Sequence, residues 1–405
     1  MSSSTKPPLH TLISIHDFAA AAAVSFAPKA YAFVSSAATD CHTHAANSSS
    51  YAAIGLRPRV LRDVSGPINI RTSMLSRAVS SPTFCAPTSL GNLVHPDGER
   101  ALGRACKDLG IAQVVSTSAS FPLDHILHAI RTHNTAGKTE EHPIFFQLYV
   151  DKIRTNSARL LAHAATLGIA GVFLTVDAPI PGKREADERV QADESIVSPM
   201  SGVKAANDGS GGGLGRIMGK FLDASMSWGA DISWLRSCLP PNTPIILKGI
   251  QTAADAMRAA DAGVDAIVLS NHGGRSLDTS PPTILVLLEL QRVCPQVFDK
   301  LQVFIDGGIN RGTDVFKALC LGATAVGVGR GMLYGLNYGE EGVKRVVGIL
   351  NDELETTMRM CGVTSLDELH PGLLNTRAVD HLIPETASEE HPYANWRRST
   401  ARSKL

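Results

Sequence analysis

Eight short apolar runs separated by longer amphipathic stretches constrain this chain more than any other feature. The runs are Pro82 to Ala86, Ile111 to Val115, Ile144 to Tyr149, Gly171 to Thr175, Pro244 to Leu247, Ala266 to Leu269, Val303 to Ile305 and Ala325 to Val328. They are mostly apolar and rich in β-branched residues and end at polar or Gly-containing turns, the pattern of strands buried on both faces. Helical spacing of apolar residues fills most intervals, at Gly98 to Leu109, Leu123 to His133, Asn156 to Leu167, Thr252 to Ala262, Ile284 to Val293 and Gly312 to Leu321. Strands alternating with helices select a parallel sheet, and eight such units predict an α/β fold with a single (β/α)8 TIM barrel. The expected organisation is an N-terminal helical segment over residues 1–80 capping the barrel bottom, a barrel over 81–370 and a polar tail over 371–405. A helix from Glu340 to Met360 is expected to complete the barrel wall. One connection is far longer than the rest: Asp177 to Pro240 contains the tract Asp208-Gly-Ser-Gly-Gly-Gly-Leu-Gly215 and is expected to be a mobile excursion loop. It is not a phosphate loop, because Leu214 and Phe221 stand where that motif needs Gly and Ser or Thr.

Charge and cysteine usage narrow the function. Lys plus Arg and Asp plus Glu number 38 each, and no basic stripe breaks the balance, which argues against nucleic acid as a partner. Seven scattered cysteines without a C-x-x-C fit reduced thiols rather than a disulfide framework or zinc site. Cys41, His42 and His44, close together in a Ser-rich loop, are read as ordinary side chains rather than metal ligands, and no metal is expected. The most apolar early stretch, Phe18 to Val34, holds Pro28 and Lys29 and resembles neither a signal peptide nor a bilayer span, so no membrane partner is expected. The chain ends in Ser403-Lys404-Leu405, the peroxisomal address, which predicts that compartment and its import receptor as a partner.

In a barrel of this kind the C-terminal strand ends carry the chemistry. Here they present Thr88, Ser116, Gln147 with Tyr149, Thr175 with Asp177, Lys248, Ser270 with His272 and Arg275, Asp306-Gly-Gly308, and Gly329-Arg330. The glycines closing strands seven and eight leave backbone amides open to an anion, which favours a phosphorylated cofactor, and Arg330 could add a charged fork. His272 and Arg275 share one Gly-flexed turn, pairing a group that titrates near neutrality with a bidentate carboxylate binder. Asp177 on a neighbouring rim could hold the imidazolium, and Arg184 supplies a second cation.

These residues resemble the FMN-dependent α-hydroxy acid oxidase and dehydrogenase family, glycolate oxidase among them. The likeness runs from about residue 28 to 370 and rests on Ala86-Pro-Thr88, His95-Pro-Asp-Gly-Glu99, Phe145-Phe-Gln-Leu-Tyr-Val150, Leu174-Thr-Val-Asp177, Gly182-Lys-Arg-Glu-Ala-Asp187, Leu247-Lys-Gly249, Ser270-Asn-His-Gly-Gly-Arg-Ser-Leu-Asp278, Asp306-Gly-Gly308 and Gly312-Thr-Asp-Val-Phe-Lys-Ala318. The resemblance implies FMN as cofactor and oxidation of a 2-hydroxy acid. It implies His272 as base, Asp177 as its orienting partner, Arg184 and Arg275 on the substrate carboxylate, Tyr149 on the substrate oxygen and Lys248 near flavin N1. Pro87, Thr88, Ser89, Ser116, Gln147, Thr175 and Ser270 would contact the flavin ring. Asp306 would meet the ribityl hydroxyls, and Gly307, Gly308, Gly329 and Arg330 the phosphate. Family relatives are commonly homotetramers.

Departures from the family pattern matter as well. Phe33, or alternatively Tyr31, falls where a Tyr usually helps bind the carboxylate. Asn310 stands where an Arg often assists the phosphate, and Ser118 replaces a bulky Trp, which suggests a roomier pocket. The expected function is therefore oxidation of a 2-hydroxy acid larger than glycolate. Peroxisomal placement favours oxygen as acceptor, and no haem-binding module is expected in the N-terminal segment. Two alternatives stay open: an FMN oxidase or dehydrogenase acting on another substrate in a secondary-metabolic pathway, and a non-catalytic FMN-binding barrel.

Overall fold

The computed structural model describes residues 6–135, 142–193, 195–205 and 213–386. Ser403-Lys404-Leu405 and the larger part of the Gly-rich tract lie outside those residues. Eight parallel strands close into one barrel in chain order: β1 (Thr83–Cys85), β2 (Gln113–Ser116), β3 (Ile144–Leu148), β4 (Val172–Thr175), β5 (Ile245–Ile250), β6 (Ala266–Leu269), β7 (Gln302–Asp306) and β8 (Ala325–Val328). The fold is the (β/α)8 barrel that the alternation of runs and helices predicts.

Side chains alternate across a strand, so residues two apart share the barrel interior. In the lower layer Phe84, Phe145, Phe173 and Phe304 converge, with Phe173 lying 5.3 Å from Phe145, 6.2 Å from Phe84 and 6.3 Å from Phe304 between ring centroids. Two residues further along their strands stand Gln147, Thr175 and Asp306, and Val114, Ile246 and Val268 give way in the same manner to Ser116, Lys248 and Ser270. An aromatic layer therefore carries a polar layer directly above it. β5 runs further than its apolar run predicts and places Lys248 inside the strand, just before a register shift. Gly249 makes that bend with φ 115°, and a Cβ there would lie 2.5 Å from the Cβ of Asp177.

The N-terminal segment divides between the two ends of the barrel, which corrects the expectation that it caps the bottom. Among the described residues the hairpin Thr72–Met74 and Arg77–Val79 does so: Met74 and Val79 join the aromatic layer, and Leu75 N donates to Gln302 Oε1 at 2.9 Å. Helices α1 (Ile15–Ser25), α2 (Pro28–Ser35) and α3 (His42–Ala53) sit at the opposite mouth. Apolar matching decides this, since α1 buries Phe18 edge-on against Tyr338 (5.8 Å) and packs on helix Arg330–Leu336, which follows β8. The Ser-rich stretch expected as a loop is α3 itself, with Thr43, Asn47, Ser50 and Tyr51 buried.

Two further stretches are more ordered than composition suggests. The long connection after β4 holds the helices Glu185–Glu188, Leu214–Met218 and Asp231–Ser237. Beyond 371, the stretch expected to be a polar tail buries Leu373, Val379 and Ile383, and Leu374–Asn375 pairs with Gly55–Leu56. Phe173→Ala should lower the unfolding free energy by about 3–5 kcal/mol through the cavity it leaves. Urea denaturation measures this, and a loss below about 1 kcal/mol would mean the aromatic layer does not carry the barrel.

Candidate active site

A cavity of about 380 Å³ opens at the C-terminal mouth of the barrel. Its floor is the polar layer, joined by hydrogen bonds. Ser116 Oγ donates to Gln147 Oε1 (3.1 Å), Gln147 Nε2 to Thr175 Oγ1 (2.9 Å), and Lys248 Nζ to Ser270 Oγ (2.9 Å). Lys248 Nζ also lies 3.6 Å from Asp306 Oδ2. Burial works against the Lys248 charge, but the carboxylates of Asp306 and Asp177 outweigh it and raise the ammonium pKa above its ordinary value. Asp306 Oδ1 is buried without a hydrogen-bond partner among the described residues.

His272 follows β6 on a turn whose residues His272, Gly273 and Gly274 all take positive φ, at 59°, 63° and 76°. A left-handed non-glycine is costly, and here it aims an imidazole into the cavity. Nδ1 lies 3.0 Å from Asp177 Oδ1 and Nε2 3.1 Å from the Tyr149 hydroxyl. A carboxylate only accepts, so Nδ1 carries the proton and Nε2 offers its lone pair. Asp177 is fully buried; burial alone would raise its pKa, yet His272 and Lys248 hold it below the usual carboxylate range. Desolvation, aided by Lys248 and Arg275, lowers the His272 pKa despite Asp177, so the ring is neutral at pH 7. Burial pushes Tyr149 up to about 12, which keeps its hydroxyl protonated.

Cations gather on one side. Phe33, from α2, has its ring 5.8 Å from the Arg184 guanidinium and 5.2 Å from that of Arg275. Of the two residues that the sequence leaves as alternatives, Phe33 lines the cavity and Tyr31 is not among its lining residues. Arg184 Nε is buried with no partner among the described residues, and desolvation depresses the pKa of both arginines. Such cations call for an anion. Behind Arg184 the chain passes so close that a Cβ at Gly215 would fall 1.6 Å from Nη2. Gly215 N donates to Asp187 Oδ2 (2.9 Å), whose other oxygen accepts from Lys29 Nζ (2.7 Å), so α2 and the two short helices after β4 are tied together.

Most of the residues singled out from sequence meet here. Pro87, Thr88 and Ser89 line the cavity after β1, as do Gly307, Gly308 and Asn310 after β7 and Gly329 and Arg330 after β8. Ser116, Gln147, Thr175 and Ser270 lie in the floor just beneath. Arg330, expected at the phosphate, lines the cavity and also engages backbone carbonyls. Nε donates to Val34 O (3.2 Å), Nη2 to Ser36 O (2.9 Å) and Nη1 to Gly273 O (3.0 Å), while Arg275 Nη1 reaches the same Val34 and Ser36 carbonyls. Both arginines thus secure the C-terminal end of α2, where cations suit the helix dipole.

Sequence reasoning missed what α3 brings. His44 lines the cavity, its Nδ1 3.1 Å from Arg330 Nη1, and desolvation with Arg330 and Arg275 pushes it down to about 4. Asn47 and Asn271 exchange amide hydrogen bonds of 2.9 and 2.8 Å, fixing the His272 turn from behind. The signal for Asn271 was its place beside His272; nothing local marked Asn47 or His44.

The family model "FMN-dependent dehydrogenase" matches residues 22–376. The chain is 37% identical to L-lactate dehydrogenase (cytochrome) of Wickerhamomyces anomalus, covering 97% of this chain and 66% of that protein. Against the Saccharomyces cerevisiae protein of the same name it is 39% identical and spans 61% of the length, so it covers less than two thirds of either. It is 40% identical to the peroxisomal (S)-2-hydroxy-acid oxidase GLO4 of Oryza sativa subsp. japonica, over 88% of this chain and 94% of that one. Among solved structures, the flavin-binding domain of baker's yeast flavocytochrome b2 matches with TM-score 0.81 at 36% identity, over 98% of this chain and 93% of that one. Mandelate oxidase matches with TM-score 0.77 at 30% identity, over 90% and 98%.

Gly215→Ala should dislodge Arg184 and weaken binding of a small carboxylate such as oxalate about tenfold to a hundredfold, the worth of one hydrogen bond to a charged group. Calorimetric titration reads the change, and unaltered affinity would show that Arg184 does not grip the anion.

Proposed function

This chain belongs to the FMN-dependent dehydrogenase family, and from that premise we propose that it oxidises a 2-hydroxy acid to the 2-oxo acid. The observation that carries the proposal is the juxtaposition of a neutral, Asp-held imidazole with two desolvated guanidiniums across one cavity. The residues present fit FMN. The unpartnered Asp306 Oδ1 suits a ribityl hydroxyl, and the space beside Gly329 after β8 is open, since a Cβ there would meet nothing within 4 Å. Lys248, Gln147 and Ser116 would lie under the ring system. Bound FMN supplies the two-electron acceptor for the hydrogen on substrate C2.

The chain's own residues do the rest. Arg184 and Arg275 would hold the substrate carboxylate, a bidentate task for which Lys would be a poor substitute. Tyr149 would donate to the substrate oxygen. Nε2 of His272 would take the hydroxyl proton, and Asp177, already on Nδ1, would stabilise the imidazolium without taking the proton. The lowered His272 pKa means the base is ready at neutral pH, and protonation in acid would remove it.

Ser118 and the apolar wall of Met218 and Leu222 support a substrate larger than glycolate. Oxygen as acceptor and a peroxisomal address are the finer parts of the proposal. They are supported by the plant relatives that bear that compartment in their names, with Ser403-Lys404-Leu405 as the signal the import receptor would read. A homotetramer completes it, and sedimentation measures that directly.

Anaerobic mixing of the holoprotein with aliphatic and aromatic 2-hydroxy acids should bleach the flavin with at least one of them, and oxygen uptake on that substrate should follow on admitting air. Bound flavin that no hydroxy acid reduces would leave the barrel a binding protein. His272→Gln should slow reduction about a hundredfold to ten-thousandfold. For the wild type, reduction should fall as pH drops below neutrality and stay level from about pH 7 upward, because a group whose pKa is lowered is already in its basic form there. Phe33→Tyr adds a donor between the two arginines and should tighten small carboxylates about tenfold in an inhibitor titration.

A further inference from the structure

The end of the cavity nearest α3 holds a titratable group that the proposed reaction leaves unused. His44, Ser48, Gly308, Asn310, Gly329 and Arg330 line that end. Two glycines bring α3 there: a Cβ on Gly274 would lie 2.7 Å from His44 N, and one on Gly308 would lie 2.7 Å from the Asn47 carbonyl. Asn310 Nδ2 donates to Ser48 Oγ (3.1 Å) and Gly308 O (3.0 Å), so this position supplies a neutral amide and no charge. Arg330 is the fixed cation of this end, and three backbone carbonyls engage its guanidinium. Of these six, His44 is the one that can acquire charge; His16 on α1 also lines the cavity but is exposed to solvent.

On the FMN reading of the site, we propose that His44 is the proton-coupled member of the phosphate end: when the FMN 5′-phosphate binds, His44 Nδ1 takes up a proton from solvent. In the present arrangement Nδ1 accepts from Arg330 Nη1 at 3.1 Å, so the ring is neutral with its proton on Nε2. Protonation of Nδ1 ends that contact. The Arg330 N–H then turns to a phosphate oxygen, and imidazolium and guanidinium both face the dianion. No other bond is made or broken. The charged and titratable groups around His44 and this end of the cavity are Arg330 and Tyr334 on helix Arg330–Leu336, His16 on α1, Arg275 on the His272 turn, Asp278 beyond it, Asp306 on β7, and Asp40, Cys41 and His42 beside it in sequence. The nearest are cations, so without a bound anion burial and charge both favour neutral His44. A phosphate dianion reverses that balance.

The sign follows from linkage. The phosphate's own second ionisation, near about pH 6, strengthens binding as pH rises and is complete above about pH 7. Proton uptake by His44 acts oppositely and dominates above that point, so FMN affinity should fall with rising pH. The test uses the full chain freed of flavin, titrated with FMN and separately with riboflavin from about pH 6.5 to about pH 8.5. Fluorescence quenching gives the affinity, and calorimetry in two buffers of different ionisation enthalpy gives the protons. For FMN we expect about one proton taken up and a Kd that rises by up to about tenfold per pH unit. Riboflavin, which lacks the phosphate, should show neither. His44→Gln should bind FMN more weakly at the lower pH and lose the slope, while retained riboflavin affinity certifies its fold. FMN binding by the wild type without proton uptake, or an unchanged slope in His44→Gln, overturns the proposal alone. Failure of the wild type to bind either flavin overturns the FMN reading with it.

Discussion

The alternation of side chains across eight parallel strands is the constraint on which the rest of this molecule depends. Closure of the sheet forces every inward-pointing residue toward one axis, so a change of character two positions along each strand becomes a change of layer. Four phenylalanines form a dry plug, and the residues above them are Ser116, Gln147, Thr175, Lys248, Ser270 and Asp306. Polar groups are tolerated so deep because they satisfy one another along the ring, as with Ser116, Gln147 and Thr175. The plug thus serves the chemistry by giving a rigid platform to a layer that would otherwise hydrate.

Above that platform the electrostatics are deliberately one-sided. Arg184, Arg275, Arg330 and Lys248 face a mouth in which Asp177, Asp187 and Asp306 are each committed to a named cation or donor. Desolvated guanidiniums without full compensation raise the energy of the empty site, and anionic ligands relieve it. Burial is what chiefly lowers the pKa of His272 and His44, and the same cations add to it, so the groups suited to a carboxylate also help keep the base neutral.

What could be read from the sequence follows the range of the interaction. Strand parity is local, so the barrel and the strand-end residues from Thr88 to Arg330 were legible, and the family motifs added the flavin. Long-range capture was not. His42 to Ala53 has four alanines but also a run of Ser, His and Asn and no clear apolar stripe, so the sequence reads as a loop; as a helix it is held by Asn271, Asp278 and two glycines far away in sequence. The fate of Arg330 was hidden for the same reason, because the carbonyls of Val34 and Ser36 that engage it carry no side-chain signature. Gly215 reads as part of a flexible tract, whereas its missing Cβ is what admits the Arg184 guanidinium.

The clasp between α2 and the two arginines joins residues 34 and 36 to Arg275, 239 to 241 places later along the chain, and to Arg330, 294 to 296 places later. During synthesis the first helices therefore leave the ribosome long before the groups that anchor them exist, and must wait in solution while eight strands are made. The barrel wall can set progressively, but its rim is completed only when the last strand delivers Arg330. Order of manufacture and order of assembly run in opposite directions here, which makes the ligand mouth one of the later parts of the molecule to become permanent.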